Sequence, residues 1–350
     1  MTRNASSAHD PAASVRSAGS VRRAAWRRWL TRPGGSVRTW IKRAVAAVLI
    51  IILLSFVDWW ESLLLLADVQ LLPALCACAL LVAGLALSTV KWQVLLAAHD
   101  VRVSLLRLLN YYWIGYFFNN FLPSNVGGDF VRLTLMYNQG SMTIVGASIF
   151  AERLTGFFVL LCFGAVGLAA LSQNIEEAGV LLPMWLLIVI LSGALGAAVL
   201  FGGKIGTWSR TPQPDRLIGR LILTMIKVAK DLAYYRQKMK AVCVSLFISV
   251  LFYINMILFQ YSLILSIGGD VSLLDVAFVA PLIALVAFIP ISVNALGLAE
   301  GAFVVFFTQV GLSPEEALAA ALLRRVLIFS FSLVGGVTWL WEKPRLQSAQ

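Results

Sequence analysis

Long apolar runs separated by short polar connections make up most of the chain. Six of them approach the roughly 20 residues that an α-helix needs to cross the hydrocarbon core of a bilayer. The six runs are 41–60, 71–90, 143–171, 180–201, 241–267 and 317–341. Two further apolar segments, 104–122 and 273–311, are interrupted by proline, glycine and asparagine. The pattern predicts an all-α polytopic membrane protein with about six transmembrane helices and two broken segments.

The composition fits this class of protein. Of the 350 residues, 60% are hydrophobic and 13% are charged, and the mean hydropathy is +0.85. A soluble domain of this length is far less apolar. The net charge of +11 comes from lysines and arginines beside the apolar runs, so we do not expect nucleic acid as a partner.

The positions of the lysines and arginines predict an orientation. Residues 1–43 hold ten of them, and the connection 202–240 holds nine. Neither residue type occurs in four other connections, at 58–70, 172–179, 268–272 and 312–316. Basic connections stay in the cytoplasm. We therefore expect both termini to be cytoplasmic, with a disordered basic tail at 1–40, an amphipathic connection at 202–240 and a short tail at 342–350.

A count of crossings then predicts two inverted halves. Each true crossing changes the side of the membrane, whereas a re-entrant segment returns to its own side. A basic group formed by Lys91, Arg102 and Arg107 places the connection after the second run inside. The broken segment at 104–122 must then begin and end inside, and the one at 273–311 must begin and end outside.

The transmembrane domain, 41–341, therefore consists of halves at about 41–171 and 180–341, with opposite topology. Each half has two spans, one broken re-entrant hairpin and one further span. Inverted repeats whose broken helices meet near the midplane are a recurrent plan among transporters.

Polar residues cluster where the two broken segments turn. The sequences are NNFLPSNVGGDFVR at 119–132 and FIPISVNALGLAEG at 288–301. Both turn at a proline, continue with asparagine and glycine, and finish on an acid. Proline and glycine break a helix, and asparagine can bond the backbone groups that are freed. The candidate cavity residues are Asn119, Asn120, Pro123, Asn125, Gly127, Gly128, Asp129 and Arg132 in the first turn and Pro290, Asn294, Gly297 and Glu300 in the second.

Four further candidate residues are charged and lie in the apolar runs that follow: Glu152, Arg153, Arg324 and Arg325. Arg153 stands 24 residues after Asp129. Arg324 stands at the same spacing after Glu300. Because a charge in the bilayer is costly, these side chains should face a partner or a cavity.

Two interpretations of the acids and arginines stay open. They can be structural ion pairs that hold the hairpins in place. Alternatively, at least one arginine contacts an anionic lipid headgroup, since the planar guanidinium fits phosphate. For Arg132, a surface role and a cavity role are both open.

At these residues the sequence resembles the lysylphosphatidylglycerol synthase transmembrane family, which is also called flippase-like. The resemblance rests on NNFLPSNVGGDFVRL, AERLTG, PISVNALGLAEGAF and LSPEEALAAALLRRVL, and it extends over about residues 40–341. It implies a multi-pass protein of the bacterial inner membrane that helps to move a modified lipid across the bilayer, alone or joined to a soluble transferase. Because nine residues follow residue 341, we expect no fused transferase domain.

Other classes of function have weaker support in the sequence. Walker and GxSxG motifs are missing, and the two histidines, His9 and His99, lie outside the predicted spans. We therefore expect no metal site, no cofactor and no recognised catalytic residue. A membrane-embedded lipid enzyme with Glu152 or Glu300 as general base stays an alternative. So does a non-catalytic partner of a separate glycosyl- or aminoacyl-transferase.

We predict a translocator of an anionic or modified lipid. Its partner would be a phospholipid, a polyprenyl-phosphate sugar or a glycolipid, and a separate transferase is a further possible partner.

Overall fold

Apolar helices make up the part of the chain that the structure describes. A computed structural model describes residues 62, 64–121, 127–136, 139, 141–171, 185, 186, 188–190, 234–289 and 293–348. These residues belong to one unit, 44–350. Eight α-helices have described bounds: α1 (Leu71–Ala97), α2 (Leu105–Phe121), α3 (Gly127–Leu135), α4 (Met142–Leu171), α5 (Met239–Ser266), α6 (Leu273–Ala287), α7 (Leu298–Thr308) and α8 (Pro314–Ser348). Two short 3₁₀ helices cover Tyr235–Gln237 and Val293–Ala295.

Four of these helices are long and apolar enough to cross a membrane. They are α1, α4 and α5, with 27, 30 and 28 residues, and the part of α8 at Pro314–Glu342, with 29. They coincide with four of the six predicted spans and confirm the predicted all-helical membrane fold. Of the other two predicted spans, 41–60 lies outside the described residues, and only five residues of 180–201 are described. The predicted tail at 1–40 and the predicted amphipathic connection up to residue 233 also lie outside them.

The helix α1 is longer than the sequence pattern predicted. The predicted span ended at residue 90, but the helix continues to Ala97. Apolar residues resume directly after Lys91, in WQVLLAA, and the helix follows them. The assignment of Lys91 to a connection was therefore wrong, because this residue lies inside a membrane-length helix. That this end of α1 faces the cytoplasm stays a prediction.

Each predicted broken segment consists of two short helices. α2 and α3 have 17 and 9 residues, and α6 and α7 have 15 and 11. At about 1.5 Å per residue, each is shorter than the hydrocarbon core, which is about 30 Å thick. α2 and α3 run antiparallel, since Gly128 lies against Asn119 and Arg132 lies against Gly115. The first hairpin thus extends beyond the predicted 104–122 and ends at Leu135.

The corresponding helices of the two halves, α1 and α5, run in opposite directions. The Asn255 side chain donates a hydrogen bond to the Leu80 carbonyl at 2.9 Å, and Lys91 Nζ lies 3.2 Å from Ser249 Oγ. Gly84 permits this approach, because a Cβ there would lie 2.9 Å from Asn255 Nδ2. An inverted repeat requires this antiparallel arrangement.

Each hairpin packs against the last helix of the opposite half. α2 packs on α8, and α6 packs on α4. Glycines permit close approach at both contacts. A Cβ on Gly335 would lie 2.1 Å from the Trp113 carbonyl oxygen, and one on Gly167 would lie 2.3 Å from that of Phe278. The crossed packing brings Tyr116 of the first hairpin close enough to Arg324 of α8 for electrostatic interaction.

Candidate functional site

Gly128 brings the two arms of the first hairpin into contact. A Cβ at this position would lie 2.0 Å from the Gly115 carbonyl oxygen. The Gly128 N–H donates a hydrogen bond to Asn119 Oδ1 at 2.8 Å. The first N–H groups of a helix lack intrahelical partners, so Asn119 satisfies one of them at the start of α3.

Asp129, the third residue of α3, joins the hairpin to α4. Its Oδ2 accepts a hydrogen bond from Arg153 Nε at 2.6 Å, and its Oδ1 lies 3.4 Å from Arg132 Nη1. The structure therefore contains the ion pair suggested by the 24-residue spacing between Asp129 and Arg153. Asp129 is buried, but Arg153 keeps 45% of its side chain exposed. Arg153 is therefore far more exposed than the acid that it binds.

Arg132 lies in a closed, buried arrangement of polar and aromatic groups. Its Nη2 lies 2.6 Å from Glu152 Oε2, and the other oxygen of Glu152 accepts a hydrogen bond from the Tyr112 hydroxyl at 2.7 Å. The guanidinium carbon lies 4.0 Å from the ring centre of Trp92 and 4.1 Å from that of Tyr112, which adds cation–π attraction. The Arg132 side chain is only 4% exposed, so the surface role considered for it was wrong.

In the second hairpin, Glu300 is the third residue of α7. Its Oε2 accepts a hydrogen bond from the Gly297 N–H at 2.8 Å, and Gly297 has the positive φ of 76° that glycine adopts readily. Its Oε1 accepts a hydrogen bond from Arg325 Nε at 2.7 Å. Arg325 Nη1 also donates to the Asn294 carbonyl at 3.4 Å. The acid thus ties the start of α7 to α8.

The spacing suggested Arg324 as the partner of Glu300, and this was wrong by one residue. The ion pair is formed by Arg325. One residue along a helix turns the side chain by about 100°. In α8 it is Arg325, and not Arg324, that faces Glu300 of the hairpin.

Arg324 occupies a different environment from the other interior arginines. It is half-buried, and it makes no ion pair or hydrogen bond with any residue that the structure describes. It lies close enough to Arg325, Glu300 and Tyr116 for electrostatic interaction. Of these three neighbours only Glu300 has a carboxylate, and that carboxylate already binds Arg325.

The ends of the two hairpins meet. Asn294 Nδ2 lies 3.5 Å from the carbonyl oxygen of Asn120, whose own side chain donates to the Tyr116 carbonyl at 3.1 Å. Asn294 has a φ of 51°, a left-handed conformation that asparagine tolerates better than most residues. Three predicted site residues at these turns, Pro123, Asn125 and Pro290, lie outside the described residues.

Cations outnumber acids among the charged residues in the interior of these helices. The cations are Lys91, Arg132, Arg153, Arg324 and Arg325, and the acids are Asp129, Glu152 and Glu300. Among the described residues, these cations therefore exceed the acids by two. In the described part of the chain, no group of three or more His, Cys, Asp or Glu side chains could hold a metal ion.

Sequence reasoning missed Lys91 and Tyr112 as parts of this site. Lys91 is buried and contacts Ser249 across the α1–α5 interface. The apolar residues on both sides of Lys91 were a usable signal. For Tyr112 no comparable signal exists, because its contact with Glu152 depends on how α2 packs against α4.

We expect Lys91→Met to leave thermal stability unchanged or to raise it. Methionine keeps the length of the side chain and removes a buried charge that lacks a carboxylate within ion-pair distance among the described residues, and the removal of buried charge is often neutral or stabilising. Thermal unfolding of the purified protein in detergent measures the effect. A clear fall in the unfolding temperature would instead identify Lys91 as a structural link between α1 and α5.

Comparison with known proteins places the chain in a group of membrane proteins. A family model described as "Lysylphosphatidylglycerol synthase TM region" matches residues 39–336. The chain is 27% identical over 267 residues to a UPF0104 membrane protein of Methanothermobacter thermautotrophicus, and the match covers 70% of this chain and 78% of that protein. It is 22% identical over 333 residues to a UPF0104 membrane protein of Pyrococcus horikoshii, covering 87% and 97% of the two chains. Because the family model matches most of its length, this multi-pass membrane protein belongs to the lysylphosphatidylglycerol synthase transmembrane-region family.

Proposed function

We propose that the protein moves an anionic or modified lipid across the bacterial inner membrane, with both termini in the cytoplasm, and that it is not an enzyme. The cargo would be a phospholipid, a polyprenyl-phosphate sugar or a glycolipid with an anionic group. One observation carries the proposal: in the part of the chain that the structure describes, the interior cations of the helices exceed the interior acids by two. Intramembrane charges without counter-charges mark substrate pathways.

Two of the interior arginines retain surface for a ligand. Arg153 is 45% exposed, and Arg324 is half-buried without a described partner. Arg132 and Arg325 are engaged by acids and are less accessible. A guanidinium offers paired donors that match the oxygens of a phosphate. We infer that a headgroup enters between the hairpins and binds these arginines while its lipid tails remain in the bilayer.

The contacts between the hairpins support an alternating mechanism. The hairpin ends touch through a hydrogen bond between Asn294 and Asn120 that is long, at 3.5 Å. Each hairpin is packed on the last helix of the other half. A rocking motion of the halves would open the cavity first to one leaflet and then to the other, as in other inverted-repeat transporters.

The hydrogen bonds that Glu152 and Glu300 already accept favour transport over catalysis. Glu152 accepts hydrogen bonds from Arg132 and Tyr112. Both oxygens of Glu300 accept hydrogen bonds as well, from Gly297 and Arg325. A general base needs an oxygen that can reach a substrate proton. Glu152 and Glu300 serve instead to hold cations in place.

Lipid movement in reconstituted vesicles tests the proposal. We expect the protein to speed the exchange of fluorescent phosphatidylglycerol between leaflets and the double variant Arg153→Gln/Arg324→Gln to lose at least tenfold of that rate. Arg107→Gln is the matched control, because Arg107 is an exposed arginine at the start of α2. Its rate should equal that of the wild type.

The same assay with labelled lipids from a native membrane extract covers the other cargo classes. Equal lipid movement in vesicles with and without folded protein would contradict the proposal. That result would favour the alternative of a membrane partner for a separate transferase, and copurification of such an enzyme would then be the next measurement.

A further inference from the structure

The two halves carry different charges at equivalent positions. Asp129 and Glu300 are each the third residue of the second hairpin arm. Each accepts a hydrogen bond from the Nε of an arginine in the following long helix, Arg153 and Arg325 respectively. These four residues give an internal alignment of the halves. They place Arg132 and Phe303 at one equivalent position, three residues after the acid.

The same alignment pairs Glu152 with Arg324, one residue before the bound arginine. In the first half, Arg132 and Glu152 form a buried ion pair at 2.6 Å. In the second half, Phe303 is fully buried and packs on Phe307 with ring centres 4.5 Å apart. Phe303 supplies no charge, and the position of Glu152 is taken by the cation Arg324. The first half thus closes an ion pair at the place where the second half leaves one arginine uncompensated.

The surroundings of Arg324 favour an anion from outside the protein. Its neighbour Arg325 is also a cation, and Glu300 is already bound by Arg325 through Nε. Two adjacent guanidinium groups therefore share one carboxylate. A half-buried guanidinium in this position is stabilised by a further anion, for which its planar fork fits two phosphate oxygens. Tyr116 belongs to α2, which packs on α8, and is close enough to Arg324 for electrostatic interaction. A tyrosine hydroxyl can donate to an anion.

We propose that Arg324, assisted by Tyr116, binds the phosphate group of the cargo, so that the single phosphate site lies in the second half of the protein. This inference rests on the proposed function and makes it more specific: the cargo carries a phosphate with free oxygens. The equivalent position in the first half is closed to a ligand by the Arg132–Glu152 pair. Headgroup phosphate and free inorganic phosphate share this chemistry, and a binding experiment separates them.

The experiment measures binding to the purified full-length protein in detergent by calorimetry. The probes are dioctanoyl phosphatidylglycerol, dioctanoylglycerol, which lacks the phosphate, and inorganic phosphate. We expect the wild type to bind the phospholipid at least tenfold more tightly than either of the other probes. Binding of dioctanoylglycerol with equal affinity would overturn the phosphate site. Equal affinity for inorganic phosphate would overturn the assignment of the phosphate to a lipid cargo.

Variants locate the binding site. Arg324→Gln should weaken phospholipid binding at least tenfold, and Arg324→Lys should weaken it less, because the charge is kept and the fork is lost. The double variant Phe303→Arg/Arg324→Glu copies the ion pair of the first half into the second and should abolish binding. The control is Arg107→Gln, which should bind as the wild type does. Arg324 makes no described hydrogen bond, so we expect Arg324→Gln to fold. This single variant therefore tests the binding site even if the double variant does not fold.

The outcomes separate this inference from the proposed function. Tight binding by the wild type together with binding by Arg324→Gln within threefold would overturn the assignment to Arg324 and leave the translocator proposal standing. Absence of phospholipid binding by the folded wild type would overturn this inference, whereas the translocator proposal falls only if no labelled lipid, native-extract lipids included, moves faster between leaflets with the protein than without it.

Discussion

The variant Glu152→Ala is expected to lower the free energy of unfolding by about 3–5 kcal/mol, the usual effect of removing one partner of a buried ion pair. Arg132 and Glu152 are 4% and 6% exposed, so water cannot replace the lost carboxylate. The Tyr112 hydroxyl loses its acceptor in the same step. Unfolding in detergent, followed by heat or by denaturant, measures the change.

A double variant distinguishes an unpaired buried charge from a simple loss of packing. Arg132→Met/Glu152→Gln removes both charges and leaves an amide oxygen to accept from Tyr112. Replacement of a buried ion pair by neutral groups of similar volume is often tolerated. We therefore expect the double variant to recover more than half of the stability lost in Glu152→Ala. A double variant as unstable as the single one would mean that packing, and not charge, controls this site.

The variant Gly128→Ala is expected to destabilise the first hairpin by about 3 kcal/mol, at the upper end of typical overpacking effects. The new Cβ would lie 2.0 Å from the Gly115 carbonyl oxygen. A backbone atom cannot rotate away as a side chain can, so α2 and α3 must separate. Asp129 directly follows this residue, and its bond to Arg153 would be disturbed together with the packing.

Gly301→Ala provides the matched control for this effect. Gly301 lies early in α7, in the corresponding arm of the second hairpin, and a Cβ there meets no atom within 4 Å. We expect this variant to unfold at the wild-type temperature or slightly above it, because alanine favours helix over glycine. Similar losses in both variants would show that the close contact between Gly128 and Gly115 is not the cause.

The predictions for Glu152 and Gly128 concern residues that stabilise the fold. The transport and binding tests concern Arg153 and Arg324, which we propose contact the cargo. Arg132 and Glu152 are enclosed by Trp92 and Tyr112 and act as a fixed support for α3 and α4. Arg324 has no such enclosure. Among the described residues, Arg132 pairs with Glu152, whereas the acid close to Arg324, Glu300, pairs with Arg325. The ligand-binding role that we propose for Arg324 depends on this difference.

Much of the helical framework was predictable from the distribution of apolar residues. The span predicted at 143–171 coincides with α4, Met142–Leu171. Proline, glycine and asparagine marked both turns, and the structure has two pairs of short helices there. These features depend on residues near each other in sequence: about 20 consecutive apolar residues suffice for a span, and breakers act locally.

Ion-pair partners were less predictable. A spacing of 24 residues gave the right partner for Asp129, and the same spacing gave the wrong one for Glu300, which binds Arg325. The physical reason is that an error of one residue turns a helical side chain by about 100°. The long helix begins 13 residues after Asp129 in the first half and 14 residues after Glu300 in the second, which is the one-residue difference in partner.

The sequence by itself determined the class of the protein, the positions of the helix breaks and most of the charges in the interior of the helices, but it missed Lys91. Only the tertiary structure decided which of those charges neutralise each other. Tyr112 bonds Glu152 across 40 residues, and Lys91 contacts Ser249 across 158. Contacts of this range depend on how whole helices rotate and cross, which the local pattern of residues does not contain. In the described part of the chain, the same packing pairs Glu300 with Arg325 and leaves Arg324 without an ion pair, and the proposed phosphate site rests on that feature.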